Sequence, residues 1–473
     1  MQYEDMIIEA TQARVETKDG SRVGSFRVRV IESPEGALSD EQAVTVSYDH
    51  KALEVEIGKL DRRSLDRAHL IQLGRTLGAL LLPDQPQPRS IYDLFVGSLN
   101  RIGRDAGLRL RLQLPPVLAD LPWEYLYVDR TGDGDSMDGF LALDPRVAIV
   151  RQEIMPTPLP PLAVSGPITV VAALASHEDF DALDLEKERA DLEQTFAGQG
   201  GVSVAYIPNA TLDAVLGRLA DAHIFHFAGH GAYTRTPGDT PGSYTGQGAL
   251  AFADQLVDAE QLAANLSAGK LRLAVLGACD SGRRDKFSIW SGVAPALVRS
   301  AKTQLPAVVA NQFKILDVCA IAFGKHLYQA LVAGQSIEYA VTVGRIAAYN
   351  ADKESPNARD WGVPVLYMRA RDGILFTAPA DEAVRAQAAE AARQVFAVRA
   401  QEVAAGGYVS GLQAGTVRNS NLAVVVETGD VSGDVVGAVV KKLQGGDTRV
   451  DVTAGDVKEG GRVIGAQIDE IGG

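Results

Sequence analysis

The sequence predicts an α/β architecture built on a mostly parallel sheet with helices on both faces. Three observations carry that expectation. Between residues 168 and 375, continuous apolar runs alternate with amphipathic stretches, the pattern of strands buried on both faces. Ahead of them, residues 1–154 mix period-two segments with helical ones, an α+β region. Behind them, residues 406–473 are rich in Gly and Val and alternate in short segments, a small all-β module. At 473 residues the chain exceeds one ordinary core, and roughly 100 to 200 residues per domain gives about three units.

Taken in order, residues 1–60 carry short alternating runs, SFRVRVIE and ALEVEIGKL, broken by Asp-Gly and Pro-Glu-Gly, and read as β-hairpins. Amphipathic helices are expected near Leu65–Leu82 and Ser90–Ala106, and the strands LRLRLQLPP and PRVAIVRQ then flank LPWEYLYVD. MPTPLPPLAVSGP at 155–167 holds five prolines, which keep backbone extended and remove donors, so it reads as a linker. Strands are then expected at ITVVAALA (168–175), VSVAYI, HIFHFAG, LRLAVLGA (271–278), PAVVAN (306–311) and VPVLYMR (363–369). Helices are expected between them at Leu185–Phe196, Leu212–Leu219 and, as a pair, over Leu316–Asn350. The Ala-rich stretch 376–405 reads as a connecting helix. In the tail, GDVSGDVVGAVVKKLQGG (429–446) resembles GDVKEGGRVIGAQIDEIGG (455–473), which fits stacked hairpins.

Composition narrows the function. A formal charge of −14 argues against direct nucleic-acid binding, which draws on clustered Lys and Arg. The start, MQYEDMIIEATQARVE, lacks a basic n-region and a long apolar stretch, and no run approaches the ~20 apolar residues that span a bilayer. A cytoplasmic protein without membrane contact is expected. Cys279 and Cys319 are the only cysteines, so neither a disulfide framework nor a Cys-rich zinc site is expected.

The chemistry gathers where strands end, since open α/β sheets collect reactive groups at their carboxyl edge. HIFHFAGHG (223–231) places three of the seven histidines in nine residues, and His230 closes a strand before Gly231. Cys279 follows LRLAVLGA and precedes Asp280, Ser281 and Gly282. A histidine about 50 residues upstream of a cysteine is the spacing associated with caspases. A thiol of pKa near 8.5 needs an adjacent imidazole to act as a nucleophile at neutral pH. Small neighbours, Gly277, Ala278 and Gly282, leave room for a substrate backbone, and backbone N–H groups of Gly231 and Cys279 are candidates for an oxyanion hole. His223, His226 and His326 read as packing residues, and Cys319 in ILDVCAIAF as a buried thiol. No carboxylate or thiol cluster accompanies the histidines and no Gly-rich phosphate loop follows ITVVAALA, so neither metal nor cofactor is expected.

These segments carry a family resemblance. HFAGHG, VLGACDSG, SGVAPALV (291–298), the stretch 306–341 and WGVPVLYMRA (361–370) resemble the CHAT-domain family of caspase-like cysteine peptidases, close in kind to separase. LRLRLQLPPVLADLPWEYLYVD resembles the region often found ahead of such domains. The resemblance implies a caspase-like fold, with His230 as catalytic base and Cys279 as nucleophile. It also implies a bacterial stress or defence role. The sequence around Cys279 departs from the caspase Gln-Ala-Cys pattern, so preference for aspartate does not carry over.

Asp280, Asp254 and Asp258 are the candidate substrate-binding residues, and an acidic pocket would favour cleavage after Arg or Lys. TRTPGDTPGSYTGQG (234–248) and SGRRDKFSIWSG (281–292) read as long polar loops whose ordering would control activity, and Arg283 and Arg284 as a self-cleavage point. The leading expectation is a latent endopeptidase with a protein substrate, switched on by a partner protein or by proteolysis. The alternatives are a non-enzymatic scaffold of the same fold, whose flanking modules bind partners, and a Cys-His hydrolase or acyltransferase acting on small molecules.

Overall fold

A computed structural model describes the chain except residues 19–20, 86–88, 104, 131, 133–135, 154–160, 165, 238–243, 267–268, 279–289, 300–304, 371, 378–396, 404–407, 419–421, 432–433, 445–447, 454–461 and 473. At 18, 233–237, 244–247, 278, 290–292 and from 397 onward it describes backbone alone.

The first region contains β1 (Gln2–Lys18), β2 (Ser21–Glu32), β3 (Val44–Asp49), α1 (His50–Asp61), α2 (Arg67–Leu81), α3 (Ile91–Arg101), β4 (Ala106–Gln113), α4 (Pro116–Ala119), β5 (Val147–Gln152) and β6 (Leu162–Ala163). The hairpins β1–β2 and β2–β3 are antiparallel, as expected. ALEVEIGKL, however, is helical rather than a strand. Asp49 accepts the Ala52 N–H and caps α1, and Leu53 and Leu60, two turns apart, are its buried residues. Ser90 and Asp93 form a capping box that starts α3. That helix stops short of the expected Ala106, where β4 begins.

The second region contains β7 (Ile168–Leu174), α5 (Leu185–Phe196), β8 (Val202–Ile207), α6 (Leu212–Leu219), β9 (Ile224–Pro237), β10 (Tyr244–Ala251), β11 (Leu256–Asp258), α7 (Ala259–Asn265) and β12 (Leu273–Ala278). It continues with α8 (Trp290–Arg299), β13 (Ala307–Asn311), α9 (Asp317–Val332), α10 (Ile337–Asp352), β14 (Pro364–Met368) and β15 (Phe376–Thr377). Strands β8, β7, β9, β12 and β13 run parallel, and β14 pairs antiparallel to β13. Residues of β7, β12, β13, β14 and of β9 up to His230 are buried almost throughout, because helices cover both faces, whereas β8 at the edge is half-buried.

Through β14 the sheet continues into β5, β4, β1, β2 and β3, thirteen strands among the described residues. The linker expected at 155–167 therefore lies between strands of one sheet, and its residues Leu162–Ala163 form β6 beside β15. The polar loop expected at TRTPGDTPGSYTGQG is instead strand at both ends: β9 runs on past its ladder with β12 and pairs antiparallel with β10 from Ala251↔His230 to Tyr244↔Pro237, while 238–243 lie outside the described residues. Tyr and Thr residues at those ends favour extended backbone. The loop expected at 281–292 lies outside the described residues up to 289, and Trp290–Gly292 open α8.

The tail departs from two expectations. Within the expected connecting helix, 378–396 are outside the described residues, and 397–403 form β16 (Ala397–Val403), a strand held by parallel pairing with β18. With β17 (Tyr408–Arg418), β18 (Leu422–Val431), β19 (Asp434–Gln444), β20 (Thr448–Thr453) and β21 (Arg462–Gly472), it builds two sheets, β16-β18-β20 and β17-β19-β21. The all-β content stands, but stacked hairpins do not. Each strand pairs in parallel with the next but one, a winding arrangement that shares the Gly-Val periodicity of hairpins.

Candidate functional site

The parallel ladder between β9 and β12 stops at one level on both strands; His230 does not close its strand as expected, because β9 continues through it to Pro237 by pairing with β10. The β9–β12 ladder runs from Ile224↔Leu273 to Gly229↔Ala278, so the residues before His230 and before Cys279 are direct partners. Cys279 and Asp280 themselves lie outside the described residues. Gly229 is sterically obligatory. A Cβ there would stand 2.7 Å from the Phe227 ring and 3.0 Å from the Ala175 oxygen, both closer than packed side chains allow.

His230 is 2% exposed. Nε2 stands 2.8 Å from the Asp181 carbonyl oxygen, and since a carbonyl only accepts, Nε2 carries the proton and the basic lone pair is on Nδ1. Phe180 stacks on the imidazole at 5.1 Å with the planes 11° apart, and His177 meets the edge of Phe180 at 5.9 Å. The loop between β7 and α5 thus fixes both the tautomer and the plane of the ring. Neither Phe180 nor Asp181 was named from the sequence. A backbone carbonyl leaves no side-chain signature, and only the position of the loop at the carboxyl edge could have pointed to it.

Gly231 lies opposite Leu250 in the β9–β10 ladder. Asp254 is exposed in the turn joining β10 to β11. The Asp258 side chain accepts the Gln261 N–H and caps α7. The structure therefore gives Asp258 a helix-capping contact and sets Asp254 toward solvent at the rim.

The other histidines have bonded positions. His223 Nδ1 accepts the Thr169 N–H at 2.8 Å, and His326 Nδ1 donates to the Ala322 oxygen at 2.9 Å. His226 Nδ1 lies 2.7 Å from the Tyr328 hydroxyl, and burial pushes its pKa down to about 4, so it is neutral at pH 7. Cys319 is fully buried in α9, and desolvation pushes its thiol up to about 12, which makes it inert at neutral pH. Among the described residues no cluster of His, Cys, Asp or Glu is arranged to hold a metal. No helix there is long and apolar enough to cross a membrane.

A cavity of about 100 Å³ lies between the sheet and helices α5 and α9, bounded on the strand side by His226, Ala228, Gly229 and Gly277. Its position directly under the ends of β9 and β12 makes it part of the site.

Comparison with known proteins places this geometry. No curated protein matches the chain. Among solved structures it is similar to separase from Saccharomyces cerevisiae in two separase–securin complexes, at 12% identity and a TM-score of 0.40, and at 11% and 0.39. The matches cover 78% and 77% of this chain, and the chain spans 30% of separase in each. The family model for the CHAT domain matches residues 85–370, which takes in β4, β5 and the whole parallel region through β14. The chain belongs to the CHAT-domain family.

Proposed function

We propose that the chain is a caspase-like cysteine endopeptidase in which His230 and Cys279 form the catalytic dyad. The observation that carries this reading is the Gly229↔Ala278 pairing, which ends the parallel ladder of two adjacent strands with a histidine and a cysteine next in sequence. The Nε2–H bond to the Asp181 oxygen supports it, because Nδ1 is then the nitrogen that carries the basic lone pair.

In the proposed reaction, the Cys279 thiol gives its proton to Nδ1 and the sulfur attacks the scissile carbonyl carbon. Backbone N–H groups of Gly231 and Cys279 would stabilise the oxyanion, and such donors contribute about 3 kcal/mol each. Collapse breaks the C–N bond, and the amine leaves with the proton from Nδ1. Water then adds to the thioester, gives a proton to Nδ1, and releases the acid as the thiol is restored.

The loop around Cys279, with Arg283 and Arg284, is the proposed point of control. Activation by a partner protein or by a cut there converts a latent form into the active one in the cytoplasm, within a bacterial defence pathway. The test is labelling of the full chain with a thiol-directed chloromethyl ketone, before and after limited proteolysis. Labelling that is lost in Cys279→Ala, kept in Cys319→Ala and increased by the cut supports the dyad and the latency. Equal labelling of Cys279→Ala and the unaltered chain rejects the dyad.

A further inference from the structure

The cavity beneath the strand ends has a chemistry of its own. Its far walls come from Leu192, Phe323 and Leu327, its base from His226 and Tyr328, and the carboxylates on it are Glu188, Asp191 and Asp317. Asp317 begins α9 and Asp191 lies on α5; Lys187 bridges them, at 2.5 and 2.7 Å, and with Glu188 beside them this rim keeps a net negative charge that water screens, since Asp317 is about half exposed. The Tyr328 hydroxyl donates to Nδ1 of His226, which leaves the imidazole N–H on Nε2, toward the cavity. Gly277 is the wall nearest the chemistry. A Cβ at this position would meet only the Phe227 oxygen at 3.6 Å and His226 Nε2 at 3.8 Å, ordinary contacts, so packing does not require glycine here. Its absent side chain keeps the cavity open beside the strand ends.

Resting on the peptidase reading, we infer that this cavity receives the substrate side chain next to the cut, and that it selects an uncharged aliphatic side chain of leucine or methionine size. The volume fits. An apolar cavity of about 150 Å³ holds benzene, and one of about 100 Å³ suits a four-carbon side chain. At the base a guanidinium or a carboxylate would lose its hydration against Leu192, Phe323 and Leu327, with a neutral imidazole and a hydroxyl as its polar partners; the rim carboxylates repel a carboxylate and, screened by water and bridged by Lys187, attract a guanidinium too weakly to offset that loss. This departs from the Arg or Lys preference that Asp254, Asp258 and Asp280 suggest in the sequence. Asp254 and Asp258 are not among the cavity's lining residues.

The test separates binding from catalysis. Degenerate decapeptide pools fixed at the fifth position as Leu, Met, Ala, Arg, Lys or Asp are titrated against full-length Cys279→Ala protein by fluorescence anisotropy. The Leu and Met pools are expected to bind about tenfold tighter than the Arg, Lys and Asp pools. Gly277→Val, read in the same background, is expected to abolish that preference and leave Ala pools unaffected, with an unchanged melting temperature showing that the fold is intact. Tighter binding of the Arg and Lys pools, lost on Asp191→Asn or Asp317→Asn, overturns the inference. So does an identical ranking in Gly277→Val, or no ranking at all. Turnover of the preferred pool by the chain with Cys279 intact, after the activating cut, is a separate reading. Its absence alongside the expected binding order rejects the peptidase and leaves the pocket.

Discussion

The hydroxyl of Tyr328 and Nδ1 of His226 lie 2.7 Å apart at the base of the cavity, joining α9 to the first residues of β9. Both groups are buried, so each depends on the other for its hydrogen bond. Tyr328→Phe removes the donor, keeps the ring volume and leaves Nδ1 without its partner. A loss of about 1–3 kcal/mol is expected, read as a lower urea midpoint with an unchanged slope.

The same pair sets a pH dependence. Burial holds His226 down to about 4 against an ordinary value of 6.5. As pH falls below about 6.5 the unfolded chain takes up this proton and the folded chain does not, so stability declines until about pH 4 and then levels. For a shift of this size the decline is about 3 kcal/mol. His50, His223 and His326 are also lowered by burial and slope the same way. The quantity to compare is therefore urea stability of the unaltered chain against His226→Gln between pH 7 and 4.5, where the variant is expected to lose less. Parallel curves would show that His226 titrates normally.

A second buried contact secures the site from the N-terminal side. Arg151 on β5 reaches Glu124 at 2.7 Å, and Glu124 also accepts the Gln312 side-chain N–H at 2.9 Å, just beyond the end of β13. Glu124 is fully buried and Arg151 nearly so. Removing one partner of such a pair leaves a buried charge uncompensated, at a cost of about 3–5 kcal/mol. Glu124→Ala is expected to lose that much in chemical denaturation, and pairing it with Arg151→Met is expected to recover part of the loss.

Much of this architecture was legible because burial imposes periodicity. The Leu212–Leu219 helix was read at its observed bounds, and each apolar run between 168 and 369 became a strand. What failed was decided by contacts distant in sequence or by backbone. ALEVEIGKL alternates like a strand, yet the Asp49 cap and the seven-residue spacing of Leu53 and Leu60 make it helical. The tail's Gly-Val repeats fix strand length but not partner, and pairing with the next strand but one is invisible to local pattern. At the site, the apolar runs before His230 and Cys279 were legible as neighbouring strands, but the continuation of β9 through His230 was not, because it depends on pairing with β10. The Asp181 carbonyl that orients His230 was not legible either, because any residue supplies one.

The family match begins at residue 85, but the sheet does not. β1 lies parallel to β4 from Gln2↔Ala106 to Glu9↔Gln113, with Met6 and Ile8 fully buried. Asp5 on β1 contacts both Arg109 and Arg111, at 2.9 and 2.8 Å. A piece covering 85–377 would expose a long strand edge and leave two nearly buried guanidinium groups without that carboxylate. It is expected to aggregate, whereas a 1–377 piece elutes as a folded species on size-exclusion chromatography. A monodisperse 85–377 piece with a cooperative melt would show that β1 is dispensable.

Phe180 offers the sharpest check on how His230 is positioned, because it stacks on the ring without titrating or bonding. Phe180→Ala removes one wall and lets the imidazole rotate away from the Asp181 oxygen, so Nδ1 spends less time in the orientation a base requires. On the peptidase reading, kcat falls about tenfold while KM changes little, since a mispositioned base weakens the transition state more than the ground state. Phe180→Tyr keeps the stacking and is expected to restore most of the rate. An equal loss in both variants, or a change confined to KM, would assign Phe180 to substrate contact instead of to the orientation of the ring.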